Sequence, residues 1–181
     1  MLFRSAAVLA IGLELGLPAA ALLDGLVKFH GAGRRFELKG SVGGVRVIDD
    51  YGHHPTEIAV TLAAAKRYCG GGKVIVIFQP HRYSRTKAFT KEFAKALSVA
   101  DSLWLLEVYA ASEAPISGVS SSNIAKLIPH AHFEPNFLVV TEAVAEIASP
   151  GDVIMTLGAG DVSALGPLIL EELQKRFESG N

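Results

Sequence analysis

One stretch of this chain, residues 45–57, reads VRVIDDYGHHPTE and passes from a strand-like to a helix-like pattern. The β-branched run at 45–48 is broken by acids, glycine and histidines, and Pro55 then suits the first position of a helix. A second stretch has the same order, because the apolar run at 74–77 is followed by FQPHRYSRT at 78–86. We therefore predict two adjacent parallel strands with polar side chains at their carboxyl edge, where open α/β sheets bind ligands.

Strand-like and helix-like patterns alternate from residue 45 to the end of the chain, which is typical of βαβ units. Gly43-Gly44 lies between two strand-like runs and predicts a hairpin that adds one antiparallel strand. The predicted fold is a Rossmann-like α/β domain, with a mostly parallel sheet, one antiparallel edge strand and flanking helices. The predicted strands cover 35–42, 45–48, 73–78, 102–106, 132–133 and 153–157. The predicted helices cover 55–68, 84–99, 123–128, 137–148 and 162–177.

The first part of the chain has a different pattern. Residues 6–17 and 18–26 predict two helices with no strand of their own to pack on. Glu14 interrupts the apolar run at the N-terminus, which favours an amphipathic helix over a signal peptide. A glycine-containing connector follows at 27–33. We therefore divide the chain into a helical segment, 1–33, and an α/β domain, 34–181.

The composition of the chain argues against several classes of protein. Half of the 181 residues are hydrophobic and the net charge is −1, with basic residues scattered along the chain. This pattern argues against a nucleic-acid-binding surface, and the apolar runs are too short to span a membrane. The single cysteine, Cys69, cannot form an internal disulfide, which favours a reducing, cytoplasmic setting.

The acid and histidine cluster after the first strand has two interpretations. Asp49, Asp50, His53 and His54 are of the types that bind metal ions, but no further cluster supplies additional ligands. The alternative is that Asp50 caps a turn and the histidines begin a helix. A carboxylate at a strand end can also accept hydrogen bonds from a ribose. Asp50 suits that role better than Asp49, because neighbouring side chains of a strand point to opposite faces.

Arg82 and Arg85 predict an anion site. They are three residues apart, so they share a helix face if the helix has begun there. Two guanidiniums at a helix N-terminus are unfavourable without an anion, and they bind carboxylates or phosphates through paired hydrogen bonds. A solvated basic turn is the alternative.

Two other motifs carry less information. Gly158-Ala159-Gly160 follows a strand, but Ser163 stands where a dinucleotide-binding motif has its third glycine, so a tight turn is favoured. Arg34 and Arg35 together are more typical of a protein surface. The sequence contains no GxxxxGK[ST] loop for a triphosphate.

Four motifs together resemble the UDP-N-acetylmuramate–L-alanine ligases of the Mur ligase family. In order, they are RRFE at 34–37, DDYGHHPTE at 49–57, FQPHRYSRT at 78–86 and TLGAGD at 156–161. The resemblance extends over nearly the whole chain. It implies that residues 34–181 are the C-terminal Rossmann-like domain and that 1–33 is the tail of a central ATPase domain.

The resemblance also implies a reaction, namely the ATP- and Mg²⁺-dependent joining of L-alanine to UDP-N-acetylmuramate in peptidoglycan synthesis in the bacterial cytoplasm. The UDP-sugar domain, the central domain's phosphate loop and the metal ligands are expected outside this chain, and the chain alone is expected to be inactive. By motif, Arg35 corresponds to a contact to the ATP phosphates and Asp50 to one with the ATP ribose. His53, Arg82 and Arg85 correspond to groups that hold the alanine carboxylate and the acyl end, and Tyr51 lines that pocket. His53 is also a candidate catalytic proton acceptor.

Three alternatives stay open at this stage. The murein-recycling tripeptide ligases of the same family share the motif with two aspartates and two histidines, but not the stretch at 79–86. A stand-alone Rossmann-type nucleotide-binding module would bind a dinucleotide without further domains. A non-catalytic interaction domain would present an exposed apolar surface on the helices at 6–26.

Overall fold

The computed structural model describes residues 2–28 and 33–179, and the chain separates into two units at Gly33 and Arg34. The first unit contains helices α1 (Leu2–Glu14) and α2 (Ala19–Lys28), close to the two predicted helices. Val8, Ile11 and Val27 are among its exposed apolar side chains. Most of the predicted connector at 27–33 lies outside the described residues.

The second unit contains a six-stranded sheet with the spatial order β1-β2-β6-β3-β4-β5. β1 pairs with β2 in an antiparallel hairpin, and all other neighbouring strands are parallel. The predicted fold class, including the antiparallel edge strand, is confirmed. The strands are β1 (Glu37–Val42), β2 (Val45–Asp50), β3 (Val74–Phe78), β4 (Ser102–Leu105), β5 (Ala131–Phe133) and β6 (Val153–Leu157).

Helices cover both faces of this sheet. The helices are α3 (Pro55–Cys69), α4 (Tyr83–Ala88), α5 (Thr90–Leu97), α6 (Ser122–Ala125), α7 (Phe137–Ile147) and α8 (Leu165–Ser179). On one face, Ile58 and Leu62 of α3 and Phe93 of α5 are fully buried against the sheet. On the other face, Val144 of α7 and Ile169 of α8 are fully buried. Two apolar layers therefore fix the sheet, and its carboxyl edge is rigidly supported.

One prediction about the sheet is wrong, because β2 and β3 are not adjacent. β6 lies between them and pairs with both. Every residue of β3 and β6 is buried, as expected for central strands with helices on both faces. The crossover through α3 skips one position in the sheet, and the last strand of the chain fills it. The turn that follows β6 is thereby inserted between the two polar stretches.

The predicted helix at 84–99 is also wrong in detail, since two helices occupy this segment and Phe89 separates them with φ −119°. The hydroxyl groups of Thr86 and Thr90 donate to the carbonyl oxygens of Arg82 and Thr86, at 2.8 and 2.7 Å. Threonine side chains that bond four residues back often bend helices. The predicted helix at 162–177 likewise begins as a 3-10 turn, Asp161–Ala164, before α8.

Among the described residues, no helix combines the length and the apolar composition that crossing a membrane requires.

Candidate active site at the carboxyl edge of the sheet

Arg34 ties the start of the domain to the end of β6. Its Nε donates to Asp49 Oδ2 at 2.9 Å, and its two terminal nitrogens donate to the carbonyl oxygens of Gly160 and Gly158, at 3.1 and 2.5 Å. Asp49 is fully buried and also accepts from the hydroxyl of Thr156 at 2.6 Å. Arg34 is therefore an internal cross-link, and the prediction that it is a surface residue is wrong.

Asp50 lies at the end of β2, and its carboxylate is held by groups of the domain itself. The backbone N–H groups of Phe36 and Gly52 donate to its two oxygens, each at 2.8 Å. The hydroxyl of Thr61, on α3, is 3.3 Å from Oδ1. Asp49 and Asp50 therefore serve opposite faces of the sheet, and Asp50 fixes the backbone on either side of the candidate site.

Tyr51 and His53 follow Asp50 at the carboxyl edge of the sheet, and their side chains are in contact. Their rings meet edge to face at 5.2 Å, and the guanidinium of Arg35 lies over the Tyr51 ring at 5.4 Å. The Nδ1 atom of His53 is 3.1 Å from the carbonyl oxygen of Tyr51. A proton on Nδ1 would donate to that carbonyl, so the Nε2 atom would be left as an acceptor.

Glu57 fixes the loop that leads from these residues to α3. Its carboxylate accepts the backbone N–H groups of His53 and His54, and the His54 side chain accepts the N–H of Thr56 in return. Burial opposes ionisation of Glu57, but these backbone hydrogen bonds and the nearby His53 outweigh it and lower the Glu57 pKa. The histidines thus begin a helix, as one of the two interpretations predicted.

His81, which follows β3, adds a third aromatic ring, next to that of His53. Its ring centroid is 6.0 Å from that of His53 and 5.5 Å from that of Tyr109, with which it is stacked. Its Nδ1 atom is buried and has no hydrogen-bond partner among the residues that the structure describes. Burial, followed by the positive charge of Arg85, lowers the His81 pKa below its usual value, which favours the neutral imidazole.

Arg82 and Arg85 follow His81. Arg82 is exposed, with a left-handed backbone at φ 75°, and its guanidinium makes no hydrogen bond or ion pair with the part of the chain that the structure describes. Helix α4 begins after Arg82, so the two arginines do not share a regular helical face. Arg85 is half-buried, and one guanidinium nitrogen is 3.5 Å from the His81 carbonyl oxygen. Although the charges of Arg82 and Glu113 interact, an exposed guanidinium that makes no hydrogen bond within the described residues, beside a second one, is suited to binding an anion.

The carboxylate of Glu113 occupies the start of α4. It accepts the N–H and the hydroxyl of Ser84, at 2.9 and 2.6 Å. These two hydrogen bonds, the one from the hydroxyl first, lower the Glu113 pKa. The backbone at this helix start therefore already has an anionic partner within the chain. Any external anion is left to the guanidiniums of Arg82 and Arg85.

The turn after β6 packs closely against Gln79, and this close approach requires glycine. Gly158 has φ 143°, and a Cβ atom there would lie 2.6 Å from the backbone oxygen of Gln79. The Gln79 side chain donates to Asp161 at 2.7 Å and accepts the N–H of Val162 at 3.1 Å. The tight-turn interpretation of Gly158-Ala159-Gly160 thus agrees with the geometry, and Gln79 is the residue that holds the turn.

We expect Gly158→Ala to destabilise the domain by about 2 kcal/mol, since a strained left-handed backbone and a clash with backbone both contribute. Chemical denaturation followed by the fluorescence of Trp104, the only tryptophan, measures this change. Gly71→Ala is the matched control, because nothing lies within 4 Å of its added Cβ. Equal stability of both variants would show that the turn and Gln79 are not packed as described.

No metal-binding cluster accompanies this site. Within residues 2–28 and 33–179, no three His, Cys, Asp or Glu side chains are grouped so that they could hold a metal ion.

Similarity to known proteins identifies the domain, since residues 34–160 match the family described as Mur ligase, glutamate ligase domain. The chain belongs to the Mur ligase family. Curated Mur ligases with similar sequences include the UDP-N-acetylmuramate–L-alanine ligases of Mycolicibacterium paratuberculosis, 48% identical over 190 residues, and Saccharopolyspora erythraea, 49% identical over 184 residues. Each alignment covers 99% of this chain but only 38% and 37% of the relative.

Solved Mur ligase structures agree with this assignment. The UDP-N-acetylmuramate–alanine ligase of Thermotoga maritima has a TM-score of 0.75 and 29% identity, with 99% of this chain and 38% of that chain covered. A murein peptide ligase from Psychrobacter arcticus has a TM-score of 0.66 and 21% identity, with 92% and 35% covered, which shows a common fold alone. The chain thus spans well under half the length of the relatives that it matches.

The structure brings most of the predicted site residues together, but the side chain of Asp50 is already bound by groups of the domain. Arg35, Tyr51 and His53 form one row, which His81 connects to Arg82 and Arg85. The Asp50 carboxylate is held within the domain. Sequence reasoning placed none of Gln79, Tyr109 and Glu113 in the site and misjudged Arg34. For Arg34 a signal existed, because Asp49 directly follows the predicted strand at 45–48, and a carboxylate that is buried there requires a partner.

Proposed function

We propose that this chain supplies the C-terminal domain of an ATP-dependent UDP-N-acetylmuramate–L-alanine ligase of the bacterial cytoplasm, and that Arg82 and Arg85 bind the carboxylate of L-alanine. The observation that carries the proposal is the exposed guanidinium of Arg82, which makes no hydrogen bond or ion pair within the described residues and lies beside Arg85. The two arginines lie in a chain that is 48–49% identical to such ligases. An amino acid held by its carboxylate keeps its amine available for reaction.

The proposed reaction has two steps. The carboxylate of UDP-N-acetylmuramate attacks the γ-phosphate of ATP, ADP leaves, and an acyl phosphate is formed. The amine of L-alanine then attacks the acyl carbon, and phosphate leaves from the tetrahedral intermediate. Reactions of this kind depend on positioning and charge neutralisation. Mg²⁺ would neutralise phosphate charge, and we expect its ligands outside the described residues.

Further roles are proposed for the neighbouring side chains. Tyr51 and His53 line the alanine pocket, and the Nε2 atom of His53 is available to accept the proton that the alanine ammonium must lose. Arg35, exposed above the Tyr51 ring, contacts the ATP phosphates. For Asp50, the ATP ribose contact that the resemblance implies stays a prediction, since the ribose would have to share a carboxylate that Phe36, Gly52 and Thr61 already contact. The UDP-sugar and the phosphate loop belong to other domains, so the chain alone is expected to be inactive.

The test joins this chain to the part of the M. paratuberculosis ligase that its alignment does not cover. We expect the joined protein to ligate L-alanine, and Arg82→Ala to raise the KM for L-alanine about tenfold, the size of one charge-assisted hydrogen bond. The KM for ATP is expected to stay within about twofold, because the change removes a contact to one substrate only. Steady-state phosphate release at varied L-alanine and ATP measures both constants.

Arg67→Ala is the matched control, since Arg67 is an exposed arginine on α3, away from the carboxyl edge of the sheet. It should leave both KM values unchanged. An Arg82→Ala variant with an unaltered KM for L-alanine would contradict the proposed role of the arginine pair.

A further inference from the structure

The segment that carries Arg82 is bound along its length to a loop that follows β4. This loop, residues 109–113, is called the clamp loop below. The N–H of Tyr109 donates to the Pro80 carbonyl oxygen, and the N–H of Arg82 donates to the Tyr109 carbonyl oxygen, each at 2.8 Å. The rings of His81 and Tyr109 are stacked between these two bonds. The backbone on both sides of His81 is thus fixed by the clamp loop.

Glu113 forms a further contact between the clamp loop and the segment that carries Arg82. Its two carboxylate oxygens accept from the hydroxyl and the N–H of Ser84, two residues after Arg82. The N–H of Glu113 donates to the Ala110 carbonyl oxygen at 3.0 Å, so the carboxylate is carried on a closed turn. Arg82 therefore lies between two anchors on the clamp loop, Tyr109 before it and Glu113 after it.

Three residues with a strained backbone lie on the two joined segments. Arg82, Ala111 and Ser112 have φ values of 75°, 49° and 69°, a region that residues other than glycine rarely adopt. Such conformations persist only where the surrounding contacts determine them, and they tend to occur at functional sites. Without Glu113, the Arg82 backbone would keep its contacts to Tyr109 and Thr86 but lose the anchor at Ser84.

We propose that Glu113 is a positioning residue, which acts through Ser84 to hold the Arg82 backbone in its left-handed conformation and so directs the Arg82 guanidinium toward a carboxylate substrate. The identity of that substrate, L-alanine, rests on the proposed function above. Glu113 itself touches no substrate in this proposal.

The first test uses the 181-residue chain and two-dimensional ¹H–¹⁵N NMR spectra. In Glu113→Gln the Ser84 amide loses a charged acceptor, and we expect its proton resonance to move upfield and the Arg82 amide resonance to shift with it. Glu146→Gln is the matched control, because Glu146 is an exposed glutamate on α7. Unchanged Ser84 and Arg82 resonances in Glu113→Gln would overturn the proposal.

The second test measures the KM for L-alanine in the joined ligase. We expect Glu113→Gln to raise it about threefold to fivefold and to leave the KM for ATP unchanged, since one exposed charged contact contributes modestly. Ser84→Ala should have a similar effect. The double variant should be no worse than either single variant, because residues that act through one contact are not additive. Fully additive effects, or an unchanged KM for L-alanine, would overturn the positioning role.

The two tests separate this inference from the proposed function. If Arg82→Ala leaves the KM for L-alanine unchanged while Glu113→Gln shifts the Ser84 and Arg82 resonances, the proposed substrate is wrong and the positioning contact stands. If Arg82→Ala raises that KM and Glu113→Gln changes neither the resonances nor the KM, the proposed function stands and the positioning role is excluded.

Discussion

Arg34→Ala is expected to lower the free energy of unfolding by about 4 kcal/mol, because removal of one partner of a buried ion pair leaves an uncompensated charge. The Asp49 side chain is fully buried and that of Arg34 is 25% exposed, so solvent cannot replace the lost guanidinium easily. The carbonyl oxygens of Gly158 and Gly160 lose their donors at the same time. Denaturation followed by Trp104 fluorescence measures the change.

Arg35→Ala is the natural control for this prediction. Arg35 is the next residue, but it is exposed and contacts the Tyr51 ring rather than a buried acid. Its removal should cost less than about 0.5 kcal/mol, as is usual for surface positions. Arg34→Lys should remain strongly destabilised, because an ammonium group cannot reach three acceptors in the directions of a guanidinium. Equal stability of the two alanine variants would contradict the internal role of Arg34.

Much of the fold follows from the sequence because hydrophobic periodicity and turn residues act locally. The hairpin at Gly43-Gly44 and the start of α3 at Pro55 are set by neighbouring residues, and both were predicted correctly. The adjacency of β2 and β3 was predicted wrongly, since the position of β6 depends on which strands bury both faces across the whole domain. A crossover helix that skips one strand position leaves no local trace in the sequence.

The site was predictable to a similar extent. The two polar stretches indicated the carboxyl edge, and His53 and His81 do meet there although β6 separates their strands. Glu113 was not predictable, because its contact with Ser84 joins two segments that are far apart in sequence and carry no shared pattern. The same reason applies to Tyr109, which reaches His81 from a loop after a different strand.

Asp50 has two candidate roles that compete for one carboxylate, a structural role and a nucleotide-binding role. Asp50→Asn is expected to destabilise the domain by about 3 kcal/mol, because an amide nitrogen facing a backbone N–H leaves a buried donor unsatisfied. The N–H groups of Phe36 and Gly52 approach different oxygens of this carboxylate, so either orientation of the amide loses one acceptor. Thr61→Val removes the longest contact, at 3.3 Å, and should cost less than about 1 kcal/mol.

A loss of stability together with an unchanged KM for ATP in the joined ligase would assign Asp50 to the fold alone. A normal stability with a raised KM for ATP would assign it to the nucleotide instead and would exclude the structural role. We expect the first result, because three groups of the domain already contact this carboxylate and Asp50 is only 6% exposed. A ribose hydroxyl would have to share the Asp50 carboxylate with the N–H groups of Phe36 and Gly52, whose backbone it holds in place.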